Sequence, residues 1–311
     1  VRIGIIGAGI AGLACATRLT GAGQDVVLFD KGRGPGGRLS TRRLATDSGE
    51  IGFDHGAQYM TARDPAFVAQ IERWATAGHA ARWPAAGDDA WVGTPAMNAP
   101  VRALAAPLDV RWHRRVDRVA RAGQDWVFEG DGVDAGRFDA AIVAVPAEQA
   151  GPLVEAGRSD WAAQARATPS APCWTVMAAY DRPLPIAADR LTDLGIIASA
   201  IRNSAKPGRA DPEAWVLQAS GDWSARHIED DPAVVERALT AAFADATDVG
   251  LPSPMATSTH RWRYAKSGRL GQDALWDGGL RLGVCGDWLL GGRVEAAWLS
   301  GDRLAGRIST G

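Results

Sequence analysis

The chain has 311 residues, 46% of them hydrophobic and 23% charged, a globular balance long enough to bury roughly three quarters of its unfolded surface in one large domain or two interleaved ones. Thirty-four Lys and Arg against 36 Asp and Glu leave a formal charge of −2, which excludes the basic footprint of a nucleic-acid or anionic-membrane binder and points to small-molecule partners. Cys15, Cys173 and Cys285 lie far apart without Cys-x-x-Cys spacing, against a disulfide framework or a zinc site. With strand-like sequence from Val1 and no apolar run of about eighteen residues, the expectation is a soluble, cytoplasmic chain without a signal peptide. The thirteen Trp are read mainly as packing residues.

Val1 to Ile6 reads as a strand. It leads into Gly7-Ala8-Gly9-Ile10-Ala11-Gly12 and then a helical stretch from Leu13 to Leu19. A second apolar run, Val26 to Phe29, ends at Asp30, 21 positions after Gly9. Each part has a task in binding a dinucleotide. Gly7 permits the tight turn, Gly9 lets backbone approach a pyrophosphate, Gly12 lets helix pack closely on strand, and the N–H groups of Ile10 and Ala11 lie at the positive end of the helix dipole. The acid at the second strand end accepts from a ribose, and its charge disfavours a 2′-phosphate there. Lys31-Gly32-Arg33-Gly34-Pro35-Gly36-Gly37-Arg38 follows where a nicotinamide dehydrogenase would continue into a helix; five Gly and Pro make this a loop, with Arg38 able to grip the same pyrophosphate in a fork. Phe53-Asp54-His55-Gly56-Ala57-Gln58-Tyr59 is a polar turn ending on an aromatic.

Ile142 to Pro146 reads as a further strand of the first unit. Beyond about residue 160 the pattern changes: strands are expected over 173–180, 194–200, 215–220 and 257–264, with one helix over 232–246. The fold class is therefore α/β, a Rossmann-like dinucleotide-binding domain with an interleaved α+β domain built on a largely antiparallel sheet. Period-two alternation from Thr259 to Tyr264 puts His260, Trp262 and Tyr264 on one face and Thr259, Arg261 and Arg263 on the other. Leu280 to Cys285 is a strand stopping at Gly286-Asp287. Val294, Ala297, Trp298, Gly301, Leu304, Ala305 and Ile308 then follow the spacing of an amphipathic helix.

These segments resemble the glutathione-reductase-like FAD proteins in their amine oxidase branch. KGRGPGGRLSTRR, FDHGAQYMTARD, NSAKPGR, THRWRYAKS and CGDWLLGGRVEAAWLSG are similar, along almost the whole chain, to the bacterial renalase-like family. The resemblance implies non-covalent FAD, and oxidation of misreduced 2- and 6-dihydro isomers of NAD(P)H to NAD(P)+ with O2 reduced to hydrogen peroxide. It implies cofactor contacts at Gly7, Gly9, Ile10, Ala11, Gly12, Asp30, Lys31, Gly37, Arg38, Ala57, Gln58, Tyr59, Gly286, Asp287, Val294 and Glu295, with the backbone of Val116 at the adenine. The FAD-binding part is expected over 1–63, 96–160 and 265–311, and the substrate part over 64–95 and 161–264.

His260, Trp262, Tyr59 and Trp288 are the residues expected to bound the flavin ring and the substrate. Hydride transfer from a dihydropyridine requires orientation and no general base. Amine oxidation would require a neutral nitrogen, and related amine oxidases keep a lysine near the flavin; of Lys31, Lys206 and Lys266, the last is nearest to a match by sequence, and a poor one. No His, Cys, Asp or Glu spacing suggests a metal. Two other readings stand beside the leading one, an amine oxidase for a small primary amine and a catalytically silent flavin-binding redox module. The pairs Arg42-Arg43 and Arg114-Arg115 have the charge to meet substrate phosphates, but solvated surface is the favoured reading and they are left unassigned.

Overall fold

The computed structural model describes residues 1–46, 49–133, 136–209 and 212–310. The first unit is β1 (Arg2–Ile6), α1 (Ile10–Gly21) and β2 (Asp25–Phe29); the Gly-rich loop after it closes on a single 3-10 turn, Gly37–Leu39. A hairpin, β3 (Thr41–Thr46) and β4 (Gly49–Asp54), leads to β5 (Met60–Thr61) and α2 (Pro65–Thr76). Asp64 caps α2 by accepting from the Ala66 N–H, and Pro65 fits the first turn, where no N–H is needed. Next come β6 (Ala80–Arg82), β7 (Ala90–Gly93), α3 (Ala99–Ala105), β8 (Asp109–Arg111), β9 (Arg118–Ala122), β10 (Asp125–Glu129), β11 (Arg137–Phe138), β12 (Ala140–Val143), α4 (Ala147–Val154) and α5 (Ser159–Arg166).

The second part begins with β13 (Ala171–Tyr180), β14 (Arg190–Leu194), β15 (Ile197–Arg202) and β16 (Glu213–Ala219). After α6 (Gly221–Arg226) comes α7 (Pro232–Thr247), begun by Asp231 in the same cap-and-proline manner as α2. The chain continues through β17 (Ala256–Lys266) and returns to the first part with β18 (Leu275–Asp277), β19 (Leu282–Val284), α8 (Asp287–Leu290) and α9 (Val294–Thr310). One expected strand, 194–200, is two: Gly195 at φ +63° turns the chain between β14 and β15.

The larger sheet has the order β18-β19-β12-β1-β2-β8, parallel except for its edge strand β18. Its inner strands β1, β2, β12 and β19 are apolar on both faces, as a covered parallel sheet requires, while the edge strand β8 is polar and exposed. Ile3, Ile5, Val26 and Leu28 pack under α1 and α9, while Ile6, Val27, Phe29 and Val143 pack against Trp126, Phe128 and Trp161. Helices α1 and α9 touch at backbone distance, since a Cβ on Gly301 would collide with the Ala11 carbonyl. Residues 64–95, expected with the substrate part, send Phe67, Ile71, Trp74 and Trp91 into the core under α1. The reason is the bulk of those side chains, with Phe67 packed between Trp74 and Trp298 of α9.

The second sheet, β14-β15-β16-β13-β17, is antiparallel throughout. Its outer face, with Trp174, Val176, Trp215 and Leu217, is covered by Val235, Leu239 and Phe243 of α7. Its inner face carries Met177 and Val216 against Ile51 and Phe53 of the hairpin. Ten of the thirteen Trp are buried, so their main work is packing. Among the described residues no helix is long and apolar enough to cross a membrane.

Candidate active site

The end of β1 and the start of α1 form an open cradle. Gly7 has φ +102°, and a Cβ there would collide with the Ala144 carbonyl; Gly12 sits equally tightly on the Gly7 carbonyl. Gly9 is different, for a Cβ built on it meets nothing within 4 Å, and across the gap a Cβ on Gly37 of the second Gly-rich loop would lie 4.0 Å from its Cα. No side chain caps α1, so its first N–H groups, Ile10 and Ala11 among them, point into this space without an intrahelical partner. A gap lined by backbone donors at the positive end of a helix suits a pyrophosphate. Asp30, half buried, accepts from the Ala8 N–H at 2.7 Å and the Gly32 N–H at 2.6 Å, which ties the two Gly-rich loops together and leaves a further lone pair on each oxygen for a ribose. Lys31 is exposed and donates to Gln149 Oε1 at 3.2 Å.

Arg38 and Asp287, read from the sequence as separate cofactor contacts, are bound to each other. The guanidinium grips the carboxylate in a two-point fork of 2.8 and 2.7 Å and donates also to Ser267 Oγ at 3.0 Å. This pair locks the Gly-rich loop to the Gly286-Asp287 corner, and the Gly286 N–H donates to Ser300 Oγ of α9. Glu295, expected at the cofactor, is 2% exposed and accepts from the backbone N–H groups of Arg63 and Asp64, with Arg293 at 3.2 Å. Its carboxylate holds the start of α2, a task that follows from its position in the first turn of α9. Val294, half buried, opens that helix. Val116 is buried in the core of Ile6 and Val27 and lies just before β9. Trp288 corrects another expectation. It is 1% exposed in that same core, across the parallel sheet from the core on which Tyr59 packs, so the two do not share a pocket; among the described residues its indole N–H has no partner.

On the inner face of β17, His260 and Trp262 stand together as the alternation requires, ring centres 4.5 Å apart. They are joined by His55, 4.9 Å from His260 and 5.0 Å from Trp262, whose indole N–H donates to the His55 carbonyl at 2.9 Å. Gln218 of β16 donates to the Gly56 carbonyl at 2.8 Å, so the 54–59 turn rests on the inner face of the sheet. The other face of β17 is the cationic one: Thr259 bonds Glu236, and Arg261 and Arg263 share Glu229. Burial lowers both imidazoles from 6.5 to about 4, helped for His55 by His260 and Arg42 and for His260 by Arg42. At neutral pH they are uncharged. Tyr59 lies apart from this group, against Trp83 at 6.1 Å and under Arg190 at 5.9 Å. Ala57 donates its N–H to the Arg38 carbonyl.

A buried ionic cluster holds the turn from behind, and sequence reading missed it. Lys206, 1% exposed, donates to Asp54 Oδ2 at 3.2 Å, Gln58 Oε1 at 3.1 Å and Asn203 Oδ1 at 3.3 Å. Asp54 also pairs with Arg209 and accepts from Thr41 Oγ1 and the Met97 N–H. Burial alone would raise the Asp54 carboxyl, but Lys206 and Arg209 override it and hold it at about 2; burial lowers Lys206 to about 8 against the pull of Asp54. Lys266, the lysine nearest to a match by sequence, is exposed at the end of β17. The signal for Lys206 was its rarity, one of three lysines, within the segment NSAKPGR. Cys15 and Cys285 are buried free thiols, and burial pushes Cys15 well above its ordinary value.

A Rossmann-like cradle, a second Gly-rich loop locked to a Gly-Asp corner, and an antiparallel sheet carrying uncharged rings define an FAD-dependent oxidoreductase. Residues 5–74 match the model of an NAD(P)-binding Rossmann-like domain, and residues 75–309 that of the flavin-containing amine oxidoreductases; the chain belongs to this second family. In fold it is similar to a provisionally assigned protoporphyrinogen oxidase from Exiguobacterium sp. 255-15, with TM-score 0.79 and 12% identity over 99% of this chain and 98% of that one. The cyclohexylamine oxidase of Brevibacterium oxydans IH-35A aligns with TM-score 0.70 and 14% identity over 100% and 99%. A zeta-carotene-forming phytoene desaturase of Myxococcus xanthus is 52% identical over 46 residues, which are 15% of this chain and 8% of the desaturase.

Proposed function

We propose that this oxidoreductase is renalase-like, oxidising misreduced 2- and 6-dihydro isomers of NAD(P)H to NAD(P)+ while O2 becomes hydrogen peroxide. The observation that carries this reading is the group of three flat rings, His55, His260 and Trp262, packed within 5.0 Å of one another beside the 54–59 turn and uncharged at neutral pH. Such a surface receives the face of a dihydropyridine and offers no strong base, and none is needed when a C–H bond leaves as hydride. When bound, FAD supplies the two-electron acceptor and returns those electrons, with two protons, to O2.

The chain's own tasks are binding and orientation. The N–H groups of Ile10 and Ala11, with Gly7, Gly9, Gly12 and Gly37 around the gap, would hold the pyrophosphate, and Asp30 the ribose. The Arg38–Asp287 pair would fix the Gly-Asp corner against the ribityl chain, and Ala57, Gln58 and Tyr59 would border the ring. His260 and Trp262 would hold the donor. The segments from KGRGPGGRLSTRR to CGDWLLGGRVEAAWLSG support the same reading.

The test is product stoichiometry in air. One NAD+ and one hydrogen peroxide per 6-dihydro-NAD consumed is the expected result, with His260→Ala slowing turnover more than it weakens FAD retention. Peroxide formed from cyclohexylamine or phenethylamine and not from the dihydro isomers would replace this reading with amine oxidation.

A further inference from the structure

Arg42 differs from Arg43, Arg261 and Arg263, each of which meets a carboxylate. It lies opposite Phe53 in the hairpin, on the face that packs Ile51 and Phe53 against Met177 and Val216 of the five-stranded sheet. Half buried there, its guanidinium donates to Ser258 Oγ at 2.9 Å, and among the described residues no carboxylate lies within ion-pair distance. Its neighbour Arg43 pairs in the open with Glu50, and Arg115 with Asp117. Asp54, at the end of the adjoining strand, is engaged by Lys206 and Arg209. A guanidinium on an apolar interface with only a hydroxyl for company is an unbalanced charge, and such charges carry a desolvation cost.

That charge belongs to the His260 corner. Ser258, His260 and Trp262 alternate onto one face of β17, and Arg42 lowers both His260 and His55. A second feature lies beside it: His55, only 6% exposed, has its ring against the Ser40 backbone, and its buried Nδ1 makes no hydrogen bond of ordinary geometry among the described residues. A buried ring nitrogen left unpaired is a place for a polar atom from outside the chain.

We propose that Arg42, with Ser258 and His55 Nδ1 beside it, docks an oxyanion of the substrate, so that the molecule oxidised here is an anion and not a simple alkylammonium ion. The inference rests on the reading of the His260 corner as the substrate side. The phosphates of a dihydronicotinamide dinucleotide supply such an oxyanion, and so would the carboxylate of a smaller donor. A protonated alkylamine would meet a like charge.

The test uses the FAD-loaded protein and two probes, inorganic pyrophosphate and benzoate, titrated separately into wild type, Arg42→Gln and Arg42→Lys while the flavin absorption is followed. Pyrophosphate is expected to give a saturable shift in wild type that weakens by about tenfold or more in Arg42→Gln and is partly regained in Arg42→Lys. The same dependence for benzoate alone would support the site and assign the oxyanion to a carboxylate. Equal binding of both probes by all three proteins, or binding of neither to wild type, overturns the proposal. A second measurement needs no variant: in wild type, kcat/KM for 6-dihydro-NAD should exceed that for the phosphate-free dihydronicotinamide riboside by about tenfold or more, and equality would count against the site. If dihydronicotinamides leave the flavin oxidised while pyrophosphate binding still depends on Arg42, the oxyanion site stands and the renalase-like reading falls.

Discussion

At the scale of single residues, the cradle depends on what is missing from it. Gly9 has an extended backbone, φ −73° and ψ 176°, which any residue can adopt, so its value lies in the empty space beyond its Cα. Gly9→Trp should therefore yield a folded protein that purifies colourless, and a full flavin spectrum in that variant would show the cofactor to lie elsewhere. Arg38 and Asp287 carry a different lesson. Both are legible in the sequence as polar residues of cofactor-type motifs, but they are 249 positions apart, and no local pattern announces that they bind each other. A double-mutant cycle with Arg38→Met and Asp287→Ala should give a coupling of about 1–3 kcal/mol in urea unfolding, because the first change strands a buried carboxylate and the second a half-buried guanidinium. Additivity would mean that the fork contributes nothing. The imidazoles set a pH dependence. With His55 and His260 lowered to about 4 against 6.5 in the unfolded chain, the unfolded state binds more protons between those values, so stability present at pH 7 falls as pH drops toward 4. Asp54, held at about 2, adds nothing to that window, since its own contribution is lost only as pH falls below about 4 toward 2. Melting temperatures from pH 7 to 4.5 should decline more steeply in wild type than in His55→Phe; parallel curves would mean that His55 titrates normally.

Among the elements, the regular pieces were readable and their meeting points were not. The apolar runs of β1, β2 and β12, the capped helix α7 and the amphipathic α9 follow from periodicity and end signals. The split between β14 and β15 was hidden because Leu194 to Ala200 is apolar enough to read as one strand, with Gly195 giving the only hint of a turn. The tie between β4, the 54–59 turn and the 203–209 segment was also hidden, since Asp54 and Lys206 lie 152 positions apart. This tie sets the height of the turn above the sheet. Asp54→Asn would leave Lys206 and Arg209 as buried cations without their carboxylate, and should cost about 3–5 kcal/mol in urea unfolding. A loss below 1 kcal/mol would mean that water or a shift of Arg209 relieves the cluster.

For the molecule as a whole, the division of labour is between a parallel sheet that holds a dinucleotide and an antiparallel sheet on which the β3–β4 hairpin packs, bringing uncharged rings and the Arg42 guanidinium to the same turn. The first is a property of the family, visible in the opening residues of the chain. The second was hidden in the sequence, because Arg42, His55, His260 and Trp262 come from two segments some two hundred positions apart and meet only when the hairpin packs on β17. The measurement that tests this account most directly is anaerobic: the FAD-loaded protein is mixed in a stopped-flow instrument with 6-dihydro-NAD and, separately, with cyclohexylamine, and the flavin band is followed. Rapid bleaching by the dihydro isomer and none by the amine is the predicted result. Bleaching by the amine alone would contradict the account and make the rings of β17 the wall of an amine pocket.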